Sequence, residues 1–592
     1  MQYQHTHRTP PFGLPIGLIV ALGLALLANA VTAGAATTTA EAGFVELEPI
    51  SFSFQREGPL LGYQSSRARI FYNFHPFDLN GGDPTTAPLF VFFNGGPGCA
   101  TCDGLLSINT APYTLYPAAI NYRITPVQNP DSWSRIGHLL YIDAPNTGYS
   151  YNLATRPDGA TQTAAEFDAQ NFNPYIDAAQ MVRVLLRFLQ AHPQLSNQPV
   201  VLVGESYGGT RVSTMLSMLL NYRRYAAGTD VYRDAGLVRE VQVHLDRYFA
   251  VPPGRIHAPA AIARQFGRQI LIDPQLTGHL QSAVAGELFE KPGSVIYQLA
   301  NAHSKTFIPC AEPGCEPSAN AISFVTSQIG LSPYDTRQDA SREIVVMFLL
   351  ATALGDIDSS TLLTGYDITR IPGFYASQRT RAYHLKVPAD LLVETQALEL
   401  IPAAQRAWFS ALPQVLTEAQ SDLADKGVST DPLRPFKDVF GELRSADAFF
   451  VPCPPMDTYN AFYWNSVIAK GYDIDPESAR YGRLFLENLP LVKTLITDAA
   501  HDLIVYPASL APSLELYPDL VKRAAVTPTC AGCDRVIEVE YQPTAAAKLR
   551  MAFPRVQRIW FPHYAEAGHS VAAGMPAKLV GDVAAWMAGT YP

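Results

Sequence analysis

The chain has 592 residues, 48% of them hydrophobic and 16% charged, and a formal net charge of −10. This apolar content excludes a largely disordered chain, and the length is more than one ordinary core needs, so we expect two structural units. A net negative charge gives no indication of a basic surface for nucleic acid, and we expect no nucleic-acid partner.

The N-terminus has the pattern of a secretion signal. Residues 14–27 form an uncharged apolar run, preceded by Arg8 and followed by small residues that fit a cleavage site. The run is shorter than the ~20 residues that span a bilayer. We assign residues 1–35 to a signal peptide and expect a periplasmic or extracellular protein with no stable membrane association after signal removal. A retained membrane anchor is the alternative.

The first core element is the continuous apolar run at residues 89–93, which indicates a strand buried on both faces. The run opens into the glycine-rich loop 94–99, Asn-Gly-Gly-Pro-Gly-Cys. Backbone N–H groups in such a loop can hold an oxyanion, together with the N–H of the residue after a nucleophile. Gly96 is the candidate donor in this loop, although the glycines alone would also fit a plain turn.

A nucleophile elbow follows at residues 204–209, Gly-Glu-Ser-Tyr-Gly-Gly. The segment lies between a β-type run and a helical run, which is the context that G-x-S-x-G has in α/β-hydrolases. Gly204 and Gly208 would let the backbone pass through the tight turn. Ser206 is therefore the candidate nucleophile, and Tyr207 is the second candidate oxyanion donor.

An acid and a base should follow the serine in that order. Residues 493–497 indicate a strand, and Asp502 lies in the loop after it; residues 558–561 indicate another strand, and His569 follows. Parallel sheets present their chemistry at the carboxyl ends of strands. Asp502 and His569 are the candidates, with Asp498 as the alternative acid.

The spacing of these residues predicts a large insertion. Ser206 and Asp502 are 296 positions apart, whereas one strand–helix unit takes about 30 residues. We predict an α/β protein with a doubly wound, mostly parallel sheet and a mainly helical cap domain. The α/β core would comprise residues 36–225 and 486–592, and the cap would comprise residues 226–485.

Seven cysteines in an exported enzyme favour disulfide bonds with one thiol left over. Their spacings are local: 99/102, 310/315 and 530/533, with Cys453 alone. A zinc site built from the two C-x-x-C pairs is the alternative.

Three segments together resemble the serine carboxypeptidase family: loop 94–99, elbow 204–209 and Gly-His-Ser-Val at 568–571. The resemblance covers roughly residues 45–225 and 485–592. It implies an α/β-hydrolase with no metal or organic cofactor, in an exported and bacterial member of the family. It also implies Cys99–Cys310 as a competing disulfide.

The resemblance implies a role for each matching residue. Ser206 would be the nucleophile, His569 the base and Asp502 the residue that orients it. Gly96 and Tyr207 would be the oxyanion donors. Asn94 and Glu205 would bind the C-terminal carboxylate of a peptide substrate.

The chain departs from the family pattern at four places. Ala500 replaces an Asp two residues before the candidate acid, and Phe92 replaces a Trp before the glycine-rich loop. Ala572 replaces a Pro, and residues 107–110 contain no counterpart of a carboxylate-binding Glu. The last departure bears directly on how a substrate carboxylate would be recognised.

We therefore interpret the chain as an exported serine-type carboxypeptidase that acts on peptides with a free C-terminal carboxylate. An esterase or acyltransferase on the same scaffold is the first alternative, because fold and triad do not dictate the acyl group. A non-catalytic binding protein that keeps the fold is the second.

Overall fold

The computed structural model describes residues 39–55, 60–65, 67–78, 82–95, 100–102, 105–106, 110–114, 127–144, 150–152, 174–277, 281, 284, 478–500, 502, 505–529, 534–549, 551 and 553–591. From Ala40 onward, these residues belong to one compact unit. The predicted signal peptide, the candidate donor Gly96 and most of the predicted cap lie outside them. In the described part of the chain, the helices are all too short or too polar to cross a membrane.

The strands before the glycine-rich loop are β1 (Glu41–Leu47), β2 (Ser51–Gln55), β3 (Leu60–Gln64), β4 (Ala68–His75) and β5 (Leu89–Phe93). Those up to the elbow are β6 (Tyr113–Thr114), β7 (Val127–Gln128), β8 (His138–Ile142), β9 (Tyr151–Asn152) and β10 (Val200–Glu205). The later strands are β11 (Tyr232–Arg233), β12 (Arg268–Ile272), β13 (Lys493–Ile496), β14 (Asp498–Ala499), β15 (Val521–Pro528), β16 (Arg535–Tyr541), β17 (Val556–Phe561) and β18 (His563–Tyr564).

The helices before the predicted cap are α1 (Pro174–Ala191), α2 (Gly208–Leu220), α3 (Arg224–Ala227), α4 (Ala235–Tyr248) and α5 (Pro259–Phe266). Those after it are α6 (Ser478–Asn488), α7 (Leu510–Leu514), α8 (Pro543–Lys548), α9 (Val571–Gly574) and α10 (Pro576–Ala588). Short 3₁₀ turns occur at Trp133–Arg135, Leu489–Leu491 and Pro507–Ser509.

The main sheet has the order β1-β4-β8-β5-β10-β12-β13-β17-β16-β15, with β9 beside β4. The six central strands, from β8 to β17, run parallel, and the pairs toward both edges are antiparallel. Every residue of β5, β8 and β10 is buried. Because successive side chains point to opposite faces, both faces of the sheet centre are covered.

The sheet contains a topological switch between β5 and β10. After β5 the chain adds β8 on one side, and after β10 it adds β12 on the other. The loops that follow β5 and β10 therefore diverge and leave a crevice at the carboxyl ends of these strands, where open α/β sheets bind their ligands. Both the glycine-rich loop and the elbow begin there, and the α/β-hydrolase fold expected from the sequence is confirmed.

The predicted domain boundary at residue 225/226 is wrong. β12, inside the range assigned to the cap, pairs in parallel with both β10 and β13 in the middle of the sheet. Helices α4 and α5 also pack against the core, with Leu237, Leu245 and Phe266 buried. The first part of the core thus continues to Thr277, because the sheet needs β12 to connect its two halves.

A separate two-stranded sheet joins the two C-terminal loops. β14 pairs in parallel with β18, so the segment after β13 is held beside the segment after β17. The Asp498 N–H donates to the carbonyl oxygen of Pro562, and the Ala500 N–H donates to that of Tyr564, at 3.0 Å each. This pairing fixes the relative position of the two segments that lead to Asp502 and His569.

Candidate active site

Ser206 occupies a strained turn between β10 and α2. Its φ is +56°, a left-handed backbone conformation that residues other than Gly and Asn rarely adopt. A Cβ on Gly204 would lie 2.3 Å from the carbonyl oxygen of Gly208, and one on Gly208 would lie 2.6 Å from that of Phe93. Both positions therefore require glycine, as the sequence predicts for a nucleophile elbow.

The loop after β5 lies directly against the elbow. A Cβ on Gly95 would come within 2.5 Å of Ser206 Cβ and 2.8 Å of the Glu205 carbonyl oxygen. This contact brings the start of the glycine-rich loop to Ser206, the candidate nucleophile. Gly96, the predicted donor one residue later, lies outside the described residues.

Tyr207, the other predicted oxyanion donor, stands at the N-terminus of α2. The backbone N–H groups at a helix N-terminus point outward and carry partial positive charge, which suits an oxyanion. The Tyr207 side chain is fully buried, and its hydroxyl donates to Asp177 Oδ2 at 3.2 Å. The side chain is thus part of the core, and the role predicted for Tyr207 concerns its backbone N–H alone.

A buried ion pair lies behind both loops. Arg211 on α2 donates from Nε to Asp177 Oδ2 at 2.8 Å and from Nη1 to the Asn94 carbonyl oxygen at 2.7 Å. Burial raises the pKa of Asp177, and the neighbouring Arg211 cation opposes that rise. This network joins α1, the elbow helix and the loop after β5 in one rigid unit.

Asn94 and Glu205 form a buried amide–carboxylate pair beside Ser206. Asn94 Nδ2 donates to Glu205 Oε1 at 3.4 Å, and Asn94 Oδ1 accepts the N–H of Leu105 at 2.9 Å. The bond from Leu105 fixes the amide orientation, so that the NH₂ group faces Glu205. The two residues predicted to bind a substrate carboxylate are therefore in contact.

His569 and Asp502 form the second half of the site. His569 Nδ1 donates to Asp502 Oδ2 at 2.9 Å, and Asp502 Oδ1 accepts the N–H of Val505 at 3.1 Å. Both side chains are buried. Burial lowers the pKa of His569, but the charges of Asp502 and Glu205 outweigh it, so the pKa is raised overall.

The alternative acid, Asp498, makes different contacts. Its Oδ2 accepts from Arg535 Nη1 at 2.6 Å and from His563 Nδ1 at 2.8 Å. Asp498 thereby connects β14 to β16 and β18. Of the two aspartates that the sequence left open, Asp502 is the one that contacts His569.

The departures from the family pattern have local explanations where the structure describes them. Phe92 stacks on Tyr141 with ring centroids 4.6 Å apart and packs edge-on against Trp133. Ala500 contributes its backbone N–H to the β14–β18 pairing, and Ala572 is buried in α9. Residues 107–109, where an acid would be expected, lie outside the described residues.

Sequence reasoning missed three residues around the site: Asp177 and Arg211 of the buried network, and Asp273 at the end of β12. Asp273 is fully buried and has a φ of +40°. The signal for it was present, because an acid follows the apolar run Ile-Leu-Ile at 270–272. Assigning this segment to the cap concealed it.

The arrangement has the parts needed for acyl transfer. A strained serine, a buried imidazole oriented by a carboxylate, and backbone donors at a helix N-terminus all lie at the carboxyl ends of adjacent parallel strands. A site with these parts can form and hydrolyse an acyl-enzyme without any further group.

Comparison with known proteins points the same way over part of the chain. Residues 49–231 match the family model described as serine carboxypeptidase. This range includes Asn94, Glu205, Ser206 and Tyr207 but not Asp502 or His569. The assignment of the acid and the base therefore depends on the geometry described above.

Individual relatives match similar lengths. Serine carboxypeptidase S10 family member 1 of Dictyostelium discoideum is 31% identical over 147 residues, which are 25% of this chain and 30% of that protein. Carboxypeptidase Y of Candida albicans is 29% identical over 151 residues, which are 25% of this chain and 24% of that protein. The chain thus matches less than a third of the length of these relatives. They give no support to the bacterial origin expected from the sequence.

Among solved structures, the chain is similar to Kex1(delta)p, a prohormone-processing carboxypeptidase from Saccharomyces cerevisiae. The superposition covers 93% of this chain and 91% of that chain, with 14% sequence identity and a TM-score of 0.46.

Proposed function

We propose that this protein is an exported serine carboxypeptidase that removes the C-terminal amino acid of a peptide. Support comes from the strained elbow at Ser206, from the buried His569–Asp502 pair, and from the match of residues 49–231 to serine carboxypeptidases. The apolar run at residues 14–27 supports export to the periplasm or the cell exterior. The residues between Thr277 and Ser478 would form the cap and line part of the pocket.

In the proposed reaction, Ser206 Oγ attacks the carbonyl carbon of the last peptide bond while His569 takes the hydroxyl proton. The resulting oxyanion accepts hydrogen bonds from the backbone N–H groups of Tyr207 and Gly96. The C–N bond then breaks, and His569 passes its proton to the leaving amino acid. Water attacks the acyl carbon and gives a proton to His569, which returns it to Ser206 Oγ as the shortened peptide leaves.

The observation that favours a carboxypeptidase over an esterase is the Asn94–Glu205 pair. A buried carboxylate next to a nucleophile would repel a substrate carboxylate unless the two share a proton. With that proton between them, Glu205 and a substrate C-terminus form a short hydrogen bond, and the Asn94 amide can donate to the same group. A simple ester has no such carboxylate and would gain nothing from this pair.

The proposal is tested with three matched substrates: a blocked dipeptide with a free C-terminal carboxylate, the same dipeptide as its amide, and a simple ester. We expect kcat/KM for the free acid to exceed that for the amide by about 10²-fold or more, because a site built for one charged group rejects the analogue that lacks it. Equal turnover of acid and amide, with faster turnover of the ester, would favour the esterase.

Two controls separate chemistry from binding. Ser206→Ala and His569→Ala should each lower kcat by about 10⁴-fold or more, and the double variant should lose little further, because the residues act as a unit. A fluorophosphonate should label Ser206 covalently in the wild type. A folded wild type that is neither labelled nor active would identify a non-catalytic binding protein.

A further inference from the structure

Asp273 is a buried carboxyl group directly beneath the active site. It follows β12, the strand between the one that carries Ser206 and the one that leads to Asp502. The Ser206 N–H donates to the carbonyl oxygen of Ile272 at 2.9 Å, and the Gln275 N–H donates to that of Ser206 at 3.0 Å. The segment around Asp273 therefore packs against the elbow.

One side of the Asp273 carboxyl group is held in place. Thr497 Oγ1 donates to Asp273 Oδ1 at 2.7 Å and accepts the Asp273 backbone N–H at 2.9 Å. The other oxygen, Oδ2, is buried and makes no hydrogen bond of normal geometry to the described residues, although the Ala499 backbone N–H interacts with the carboxyl group and lowers its pKa. A buried carboxyl oxygen without a hydrogen bond destabilises the folded protein unless it carries a proton or finds a partner. The groups around Asp273 therefore decide whether it is charged or protonated.

Close titratable neighbours of Asp273 in the described structure are Asp502 and His569, two residues of the candidate triad. A carboxyl oxygen of Asp273, one of Asp502 and a ring nitrogen of His569 all lie within 4.8 Å of one another. Among the described residues, Asp498 on β14 and Tyr564 on β18 also interact electrostatically with Asp273. Two buried carboxyl groups this close cannot both ionise cheaply. Asp502 already accepts two hydrogen bonds, so the negative charge resides on Asp502.

We propose that Asp273 is a second positioning residue of the triad: it lies beside the Asp502–His569 pair, holds a proton while Asp502 is charged, and takes over the charge when Asp502 is removed. The proposal rests on the proposed serine mechanism. Burial and the Asp502 charge raise the pKa of Asp273 far above its usual range, which agrees with a neutral group in the wild type.

The test measures how fast a fluorophosphonate labels Ser206 in a double-mutant cycle. In this reaction Ser206 Oγ bonds to phosphorus, fluoride leaves, and His569 takes the hydroxyl proton, so the rate reports the base and its acid without a peptide substrate. The variants are Asp502→Ala, Asp273→Asn and the two combined. Asn suits position 273 because it tolerates the positive φ there.

We expect Asp502→Ala to slow labelling by about 10²-fold, less than the ~10⁴-fold loss seen when a triad acid has no substitute. The remaining rate should rise with pH as His569 loses its proton, and a charged Asp273 should keep the midpoint of that rise high by raising the pKa of His569. Adding Asp273→Asn should move the midpoint to lower pH and slow labelling by about another 10-fold or more, a larger factor than the same change causes in the wild-type background.

The matched control is Asp498→Asn in the Asp502→Ala background, since Asp498 also faces Asp273 but contacts His563 and Arg535. It should change the remaining rate by less than about 3-fold. Thermal unfolding checks that each variant is folded, and Asp502→Asn replaces Asp502→Ala if the latter does not fold. Equal factors for Asp273→Asn in both backgrounds, or a midpoint that Asp273→Asn does not move in the Asp502→Ala background, would overturn the inference. A wild type that is not labelled at all would instead refute the proposed function.

Discussion

Arg211 donates a 2.7 Å hydrogen bond to the backbone carbonyl oxygen of Asn94 while both side chains are buried. The bond joins the helix of the nucleophile elbow to the loop after β5. The same guanidinium pairs with Asp177 and lies over the Tyr207 ring, 5.1 Å from its centroid. Arg211 thus connects the candidate elbow to the loop after β5 through one buried cation.

This network leads to a prediction about stability. Arg211→Met leaves the buried Asp177 carboxylate without its cation, and we expect the free energy of unfolding to fall by about 3–5 kcal/mol. Urea denaturation of the purified protein measures it. Adding Asp177→Asn should recover part of the loss, because no unpaired charge then remains. If the double variant loses as much free energy of unfolding as the two single variants together, or more, the ion pair does not explain the effect.

The elbow glycines provide a second prediction. Gly208→Ala would place a Cβ 2.6 Å from the Phe93 carbonyl oxygen, so the elbow must shift away from the loop after β5. We expect kcat to fall by about 10²-fold or more, because nucleophile and oxyanion donors move apart. The control is Gly581→Ala on α10, where a Cβ meets nothing within 4 Å. That change should leave kcat unaltered and stabilise the helix by up to about 1 kcal/mol. Equal kcat in both variants would contradict the close contact at the elbow.

The third prediction concerns pH. Burial lowers the pKa of His569, but Asp502 and Glu205 raise it overall, above the usual value of about 6.5. The base must be neutral, so the labelling rate of Ser206 should fall as pH drops, with its midpoint above about 6.5. The stability that the charged His569 contributes is fully present below its unfolded pKa and is lost as pH rises through the folded one.

Glu205→Gln removes one of the two charges that raise the pKa of His569, so the midpoint of the labelling profile should move to lower pH. The rate of covalent labelling across pH in both proteins measures this shift. An unchanged midpoint would mean that Glu205 does not act on His569.

The fourth prediction concerns recognition of the substrate. If Glu205 and a peptide carboxylate share a proton, KM for a peptide should rise toward neutral pH as that proton is lost. Glu205→Gln should flatten this rise and leave KM for an ester almost unchanged. Steady-state kinetics across pH with a peptide and an ester test both statements. Identical pH dependence of the peptide KM in the two proteins would show that Glu205 does not bind the carboxylate.

The sequence alone determined the parts of the site that local chemistry specifies. An apolar run such as Leu89–Phe93 indicates a strand covered on both faces, and Gly-x-Ser-x-Gly between a β-type run and a helical run indicates a tight turn. These features depend on residues within a few positions of each other, so the pattern is readable without the fold.

Tertiary structure decided what depends on residues far apart in the chain. Asp498 and Asp502 follow the same strand and look equivalent in sequence; the pairing of β14 with β18 directs Asp498 to His563 and Asp502 to His569. Asp273 reaches the same site because β12 lies between β10 and β13, and Asp273 and Asp502 are 229 positions apart. Sheet order determines which strand ends are neighbours, and it arises from packing the whole core rather than from any local pattern.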